Sequence, residues 1–508
     1  MSRCYGTLGM SREGTYISIT PFVIQPVRTS PFPLYTVSVI IATMTLSLYS
    51  SLALIFLAWV FNRLRKLGSR GRGLPPGPPT IPLLGNLHIF PKTRAHEKFT
   101  EWARVYGDIY SLKMASGTAV VISNPRLLRE CMDLHGGVTS DRPPVYAAKL
   151  IWEDKELAVA RYGPMWKNMR RAAHDILSRD ACMNHLPIQR AEVVKLMYDF
   201  LARPTQFYTH IYRYAASVVF SVVFGIHCPE FNDSFIQDFL IAIGIANRIM
   251  RPGGMPPIDI LPVLKYIPER WAPWKTLCKQ AHDMQHKLYS GSVQICIDRI
   301  KDDKRSDCFM EFLLDHQEQY SLDQEELVYF GGSLIQAGSY TTAVYLRFLV
   351  ACIAAHPDVL KRAQAEMDVV VGADRMLGLD DLENLPYLKA VINEVHRFRP
   401  VTPAAVPHAS TADVRVGEYV IPKGSMIFMN TWGICHNEEY FDNPDSFDPE
   451  RFLRSEFGIK SGADPTGFRN DFAFGAGRMT VLSRLIARIQ FDCTECHVYD
   501  LGFRLHSN

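Results

Sequence analysis

The pattern of hydrophobic and charged positions divides the chain into an apolar N-terminal run and a long amphipathic body. Residues 37–61 carry no charged side chain, and roughly 20 apolar residues suffice for a helix to cross a bilayer. The sequence therefore predicts a single transmembrane helix at 37–61, preceded by an N-terminal tail at 1–36. A buried core helix is the alternative, but core helices rarely lack charges over such a length. A cleaved signal peptide is disfavoured because the run is too long and starts too late.

Basic and proline-rich residues follow the apolar run. The basic side chains are Arg63, Arg65, Lys66, Arg70 and Arg72, and the positive-inside rule then assigns the C-terminal side to the cytosol. The sequence Leu-Pro-Pro-Gly-Pro-Pro at 74–79 cannot form a helix or a central strand, so it predicts a stiff spacer. Residues 62–80 are therefore a linker, and 81–508 form the folded body.

The periodicity of the body is mainly helical. Residues 93–106 predict an amphipathic helix, and two β runs at 108–113 and 119–123 are joined by a turn. Asn124 and Pro125 then begin another helix as N-cap and first helical residue. Helical periods dominate 189–294, interrupted by a loop at 251–257, whereas short β runs appear after 401. The predicted fold class is mainly α with small β-sheets.

The longest predicted helix of the body covers residues 321–355. Ser321 and Gln324 read as a capping box, and His356-Pro357 ends the helix. Residues 327–346 carry no charge, so a second membrane span is an alternative. Glycines, serines, threonines and a glutamine fall within this run. That polar content favours a helix through the protein core with a functional notch.

Composition narrows the classes of partner. The chain has 508 residues, 47% of them hydrophobic and 21% charged, which is typical of a globular protein with a sizeable core. A formal net charge of +3 gives no reason to expect a nucleic-acid partner. The 11 cysteines have no regular spacing, and their odd number suits a reducing compartment.

Several short motifs of the body have an ordinary structural reading when each is taken alone. Trp166 and Arg170 are four apart on a predicted helix, as in a surface cation–π pair. Glu394 and Arg397 are three apart, as in many exposed ion pairs. The sequence Asp-Phe-Ala-Phe-Gly-Ala-Gly-Arg at 471–478 is a glycine-rich loop before an amphipathic segment, which is more often a turn than a site.

Together, in this order and spacing over roughly residues 75–478, the motifs resemble those of the cytochrome P450 family. Glu394, Arg397 and Arg451 match its structural Glu-Arg-Arg triad, which locks the segment leading to the haem loop. The sequence at 337–342 resembles the oxygen-activation motif, in which an acid and a threonine help to deliver protons. Thr341 matches the threonine. Tyr340 replaces the acid, and a phenol cannot work as a carboxylate.

The resemblance also implies residues that would hold haem. Trp166 and Arg170 match a Trp-x-x-x-Arg pair that binds a haem propionate, and His408 stands where the family often has a basic propionate partner. Three residues match the haem-binding loop, Phe-x-x-Gly-x-Arg-x-Cys-x-Gly: Phe474, Gly477 and Arg478.

The axial cysteine of that loop, whose thiolate ligates the iron, is absent from this sequence. Its place falls on Val481 when counted without a gap, and on Thr480 when one residue is missing. The run after Met479 reads like the later turns of the helix that follows the loop, so we expect about a dozen residues to be absent between Met479 and Thr480. The catalytic domain is thus truncated or altered after 478.

The resemblance implies a fungal-type, membrane-anchored microsomal monooxygenase. It would contain haem b (iron protoporphyrin IX) and receive electrons from NADPH through NADPH–cytochrome P450 reductase. It would oxidise a lipophilic small molecule with O₂, in fungal secondary metabolism. The implied location is the endoplasmic reticulum membrane, with one span and a cytosolic catalytic domain. The alternative is a catalytically inactive, haem-less membrane-anchored remnant.

A competing motif occurs near the C-terminus. The sequence Cys-Thr-Glu-Cys-His at 493–497 is the attachment signature of c-type haem. Covalent attachment requires a compartment with the attachment machinery, whereas the anchor and its basic flank imply a cytosolic domain. Cys493 is also a poor substitute for the missing ligand, because a predicted helix separates it from Gly477.

Overall fold

The computed structural model describes residues 34–251, 253–372, 375–469, 472 and 475–478. The chain divides into two compact units, Met1–Arg63 and Leu64–Asn508. Within the first unit, the described residues are helical, and the side chains from 43 to 59 are exposed. The stretch Thr43–Asn62 is long and apolar enough to cross a membrane.

The α-helices are numbered in chain order. The first group is α1 Leu34–Lys66, α2 Ala95–Tyr106, α3 Pro125–Leu128, α4 Gly136–Thr139, α5 Tyr146–Trp152, α6 Pro164–Ile176, α7 Arg179–Asn184, α8 Leu186–Ala202, α9 Phe207–Phe224 and α10 Ser234–Met250. The second group is α11 Pro273–Lys301, α12 Phe309–Asp315, α13 Gln317–Tyr320, α14 Gln324–Ile335, α15 Thr341–Ala355, α16 Pro357–Val370, α17 Pro386–Phe398, α18 Thr431–Cys435 and α19 Arg451–Arg454. Two π-helical segments, Arg129–Leu134 and Gln336–Tyr340, interrupt this series.

Two small sheets complete the body. The strands are β1 Ile109–Met114, β2 Gly117–Ile122, β3 His408–Ala409, β4 Val414–Val416, β5 Tyr419–Ile421 and β6 Met426–Met429. One sheet has the order β1-β2-β6-β3, in which β2 and β6 are parallel with Ala119 opposite Met426, and the other pairs are antiparallel. Strands β4 and β5 form a separate antiparallel pair. The observed fold is mainly helical with small β-sheets, which confirms the fold class predicted from the sequence.

The long helix predicted at 321–355 lies in the core of the body. Leu327, Leu334 and Leu346 are buried in the main hydrophobic cluster, together with most of α9. A Cβ on Gly332 would lie 2.3 Å from the ring of Tyr289 in α11, so only glycine allows these helices to approach this closely. The burial supports the core-helix interpretation of this segment over the second membrane span, although Gln324–Ala355 is apolar enough for either.

The predicted capping box of this helix is wrong in its residues. Ser321 ends α13 in the left-handed region, with φ of 51°. Asp323 is the N-cap of α14, and it forms the capping box with Glu326: its side chain accepts from the Glu326 amide at 2.7 Å. An aspartate accepts this bond as readily as a serine, so the helix simply begins two residues later than predicted.

The proline-rich linker lies against the sheet. Residues 74–80 have neither helix nor strand. Arg70 donates to the carbonyl of Gly77 at 3.0 Å, to that of Pro78 at 2.9 Å and to Ser111 of β1 at 3.0 Å. These bonds attach the start of the second unit to its first strand.

Candidate active site

The long helix is locally widened at the predicted oxygen-activation motif. Gln336–Tyr340 is π-helical and connects α14 to α15. A π-bulge releases one backbone group from the regular helical ladder. The Thr341 hydroxyl donates to the carbonyl of Ala337 at 2.6 Å, so its proton is held within the helix. Tyr340 is 37% exposed, and thus its phenol is accessible to water.

The predicted triad is buried and fully hydrogen-bonded. Arg397 binds both carboxylate oxygens of Glu394, with Nε–Oε2 and Nη2–Oε1 each 2.7 Å. The Nε of Arg451 lies 3.1 Å from Oε2 of the same carboxylate. None of the three side chains is more than 4% exposed. Both guanidiniums also donate to backbone carbonyls, so the charges compensate one another without water.

The triad connects α17 to the segment that leads to the glycine loop. The amide of Asp448 donates to Glu394 at 2.8 Å. Arg397 reaches the carbonyls of Cys435 and Pro444, both at 2.8 Å. The carboxylate and its two partners therefore fix the course of the chain from 435 to 451.

The described part of the glycine loop lies against the π-helical segment Arg129–Leu134. The Gly477 amide donates to Oδ1 of Asp133 at 2.8 Å, and Arg469 binds the other oxygen of that carboxylate at 2.8 Å. Gly477 has φ of 70°, and a Cβ there would lie 2.5 Å from the carbonyl oxygen of Met132. Phe472 is buried in an edge contact with Phe468, with ring centroids 5.9 Å apart. The predicted loop residue Phe474 lies outside the described residues.

We therefore expect Gly477→Ala to loosen the loop. A left-handed backbone costs a residue with Cβ about 1–2 kcal/mol, and the contact with Met132 adds to this cost. Local opening should become about tenfold or more easier, which hydrogen exchange of the peptide containing 472–478 measures.

Gly424→Ala is the matched control, because Gly424 has φ of 80° but no atom within 4 Å of the position that an added methyl group would take. It should leave exchange of the loop unchanged. Equal exchange of the loop in the Gly477 variant and the parent protein would show that the contact with Met132 does not hold the loop.

Two cations and an unpaired donor converge beside the loop. Arg478 contacts the ring and hydroxyl of Tyr162, and Arg170 donates to the carbonyl of Arg478. Trp166 is 1% exposed, and its Nε1 has no hydrogen-bond partner among the described residues. Burial, together with the charge of Arg478, lowers the pKa of Arg170. These side chains line a groove of about 490 Å³.

This donor set has the chemistry of an anion site. A buried N–H without an acceptor costs free energy, and two neighbouring guanidiniums repel each other. One carboxylate would relieve both costs. The cation–π contact predicted from the sequence is also present, since the guanidinium of Arg170 lies 5.4 Å from the Trp166 ring centroid.

His408 is buried on β3, away from water. Its Nδ1 lies 3.1 Å from the carbonyl oxygen of Thr139, which can only accept, so Nδ1 carries the ring proton. Burial, assisted by the charge of Arg142, holds the pKa of His408 well below its usual range. The neutral ring therefore has no proton on Nε2 to donate. His408 could take up a second proton only if an anion near Nε2 stabilised the charged ring.

A thiolate ligand is missing from the described part of the site. The described cysteines are all buried: Cys131, Cys182, Cys228, Cys278, Cys296, Cys308, Cys352 and Cys435. Cys131 lies in the segment that contacts Gly477, but burial raises its pKa to about 12, so it keeps its proton at neutral pH. Thr480, Val481, and the cysteines at 493 and 496 lie outside the described residues. The described residues could thus bind the propionates of a haem, but none of them supplies a thiolate ligand for its iron.

Some residues of the site could not have been found from the sequence. Asp133 and Tyr162 bind Gly477 and Arg478 from 344 and 316 positions away. Neither belongs to a motif, and no local pattern marks an aspartate or tyrosine as the partner of a distant loop. Arg142 is a third example: it is buried and donates to the carbonyls of Val406 and Pro407 at 2.7 and 3.0 Å.

Comparisons with known proteins agree on one family. The family model described as Cytochrome P450 matches residues 75–489. A cytochrome P450 monooxygenase of Armillaria gallica is 43% identical over 413 residues, covering 81% of this chain and 79% of that protein. The monooxygenase ple5B of Rhodocybe pseudopiperita is 37% identical over 420 residues, covering 82% of this chain and 79% of its own.

Solved structures give the same result. A zebra fish cytochrome P450 with progesterone has a TM-score of 0.66 and 26% sequence identity, covering 80% of this chain and 92% of that chain. The structure with abiraterone has a TM-score of 0.64 and 25% identity, with coverages of 80% and 91%. The protein belongs to the cytochrome P450 family, and its fungal relatives are monooxygenases.

Proposed function

We propose that this fold serves a monooxygenase that hydroxylates or otherwise oxidises a lipophilic small molecule, in fungal secondary metabolism. Family membership and the fungal relatives support the reaction class. The zebra fish relative was solved with progesterone, an apolar steroid, which supports a lipophilic substrate. The observation that carries the proposal is the buried Trp166 indole, which has no acceptor among the described residues and lies beside Arg170 and Arg478, because a propionate would satisfy all three donors where the resemblance expects haem.

The proposed cofactor is haem b, with electrons from NADPH delivered by NADPH–cytochrome P450 reductase. Trp166, Arg170 and Arg478 would hold the propionates, and the resemblance places His408 near them as well. Phe474 and Gly477 would lie against the macrocycle. Bound haem with a thiolate ligand supplies the activation of dioxygen. Within the part of the chain that the structure describes, no residue beside the glycine loop offers that thiolate.

The widened helix would manage protons at the reacting centre. The Thr341 hydroxyl, held by the Ala337 carbonyl, can turn to a water without breaking the helical ladder. Tyr340 is exposed enough to exchange protons with solvent. A tyrosine in place of an acid makes this path weaker than a carboxylate path, because a phenol is a much weaker acid than a carboxylic acid.

A second function is favoured by a specific observation, the absence of cysteine from the glycine loop. The chain with this sequence would then be a catalytically inactive, haem-less remnant that remains in the membrane. The buried triad and intact cores are compatible with this, because they stabilise the fold and do not touch the reaction.

Sequencing the transcript and the genomic DNA across codons 479–480 separates the two functions. We expect the transcript to encode additional residues containing a cysteine after Met479, because the sequence pattern from Thr480 onward reads like the later turns of the helix that follows the loop. A transcript that encodes Met479-Thr480 directly would contradict this expectation and favour the remnant.

We further propose that residues 37–61 anchor the protein in the endoplasmic reticulum membrane, with the body in the cytosol. The apolar helix and the basic residues that follow it support this orientation. The anchor would bring the body to the same membrane as its reductase and a lipophilic substrate.

Alkaline carbonate extraction tests the anchor. The full chain is expected to remain in the membrane pellet, because a helix of this length is effectively irreversibly inserted. A variant that lacks residues 1–61 serves as the control and should move to the supernatant. Complete release of the full chain would rule the anchor out.

A further inference from the structure

Two buried sulfur atoms lie close together far from the glycine loop. Cys296 is in the last turns of α11, and Cys308 immediately precedes α12. Their Sγ atoms are 3.9 Å apart, and both residues are at most 2% exposed. This separation is that of two thiols in contact, about twice the length of an S–S bond.

A fixed guanidinium lies against the two sulfurs. Nη2 of Arg299 is 3.3 Å from Sγ of Cys296 and 3.9 Å from Sγ of Cys308. The same guanidinium donates to the carbonyls of Phe224 and Gly225 at the end of α9, so it cannot turn away. The hydrogen bond shared with Cys296 lowers the pKa of the Cys308 thiol. A thiolate at Cys308 is the reactive form of cysteine.

A metal ion fits this cluster poorly, although Glu311 lies near both sulfurs. The carboxylate of Glu311 already accepts from the Ser306 amide at 2.9 Å and the Ser306 hydroxyl at 3.1 Å. Nε of Arg299 lies 3.1 Å from the same carboxylate. A cation placed among these ligands would face the guanidinium directly. The guanidinium therefore disfavours a metal ion at this cluster.

The cover of the pair is a short polar segment. Residues 301–307, which join the two cysteines, are all exposed. Asp303 and Asp307 are in the left-handed region, with φ of 56° and 55°. The segment is thus the solvent-exposed part of the chain between the two cysteines. Cys308 directly follows it, so we expect a small oxidant to approach the Cys308 sulfur from this side.

We propose that Cys296 and Cys308 are a thiol pair that hydrogen peroxide converts into a disulfide. The Cys308 thiolate attacks one peroxide oxygen, the O–O bond breaks, and the products are a Cys308 sulfenic acid and hydroxide. The Cys296 thiol then attacks the Cys308 sulfur, forming the S–S bond; the sulfenic oxygen leaves as water with the thiol proton. Peroxide is reduced, and the two cysteines are oxidised.

The disulfide would tie the end of α11 to α12. Met310 of α12 packs against Gly331 of α14, where an added Cβ would lie 2.8 Å from its methyl group. The disulfide would limit how far α12 can move from α11. Because α12 packs against α14, oxidation would also restrict the movement of α14, which leads into the π-helical segment Gln336–Tyr340.

Peptide mapping of the full chain tests the pair. The protein is treated with stoichiometric hydrogen peroxide, alkylated, digested without reduction and analysed by mass spectrometry. We expect a linked peptide pair containing Cys296 and Cys308, which dithiothreitol separates. Arg299→Gln should slow its formation several-fold. Cys131→Ser removes a buried cysteine elsewhere and should leave the link unchanged.

Single variants assign the two roles. In Cys296→Ser, dimedone should trap a sulfenic acid at Cys308; in Cys308→Ser, Cys296 should remain a thiol. The wild-type measurement stands even if a variant folds poorly. Two results would overturn the proposal: peroxide that leaves both thiols reduced while Cys131 or another cysteine oxidises, or a stoichiometric zinc ion that protects the pair until a chelator removes it.

Discussion

Glu394→Ala is expected to prevent stable folding of the body, and not merely to slow turnover. The substitution leaves Arg397 and Arg451 charged in the interior without their carboxylate, and it removes the acceptor of the Asp448 amide. Removing one partner of a buried ion pair costs about 3–5 kcal/mol. That is a large share of the roughly 5–15 kcal/mol that stabilises a typical domain. Arg451→Ala should act in the same direction.

The yield of soluble protein and the urea unfolding midpoint measure this effect. Arg94→Ala is the control, because Arg94 and Glu97 form an exposed pair on α2, worth at most about 1 kcal/mol. It should unfold at nearly the parent midpoint. A soluble, protease-resistant Glu394→Ala protein with the parent midpoint would show that the triad does not lock the chain from 435 to 451.

Restoring a cysteine-containing segment between Met479 and Thr480 is the second change with a large expected effect. The insert has about a dozen residues, the length of the run expected to be absent, and it contains the cysteine that the resemblance implies. Trp166, Arg170 and Arg478 already lie together, and Nε1 of Trp166 has no acceptor among the described residues. We expect the extended chain to bind haem with thiolate ligation and the unextended chain to fail. The same insert with serine at the cysteine position separates ligation from loop length.

Much of the fold was predictable from local patterns. The helix predicted at 93–106 is α2 Ala95–Tyr106, and the two β runs are the paired strands Ile109–Met114 and Gly117–Ile122. Asn124 caps the helix that Pro125 begins. These elements are fixed by periodicity and by residues next to them in sequence.

What was not predictable depends on distant contacts. The N-cap of α14 was predicted at Ser321, whereas the structure has it at Asp323. Serine and aspartate are equally good N-cap residues. Which of the two caps the helix depends on the turn that ends α13, and the local sequence does not reveal that turn. The charge state of His408 depends on Arg142 and Thr139, which are more than 260 positions away. A histidine in the sequence reads as a basic group, whereas burial makes it neutral.

The carbon-monoxide difference spectrum of the reduced protein tests the central claim most directly: a P450 body with an anion site but no axial thiolate. It should be recorded for the unextended chain, the chain with the restored segment, and the serine control. The account predicts the characteristic absorption of thiolate-ligated haem only in the chain with the restored cysteine. The same absorption from the unextended chain would contradict the account, because another group would then have to ligate the iron.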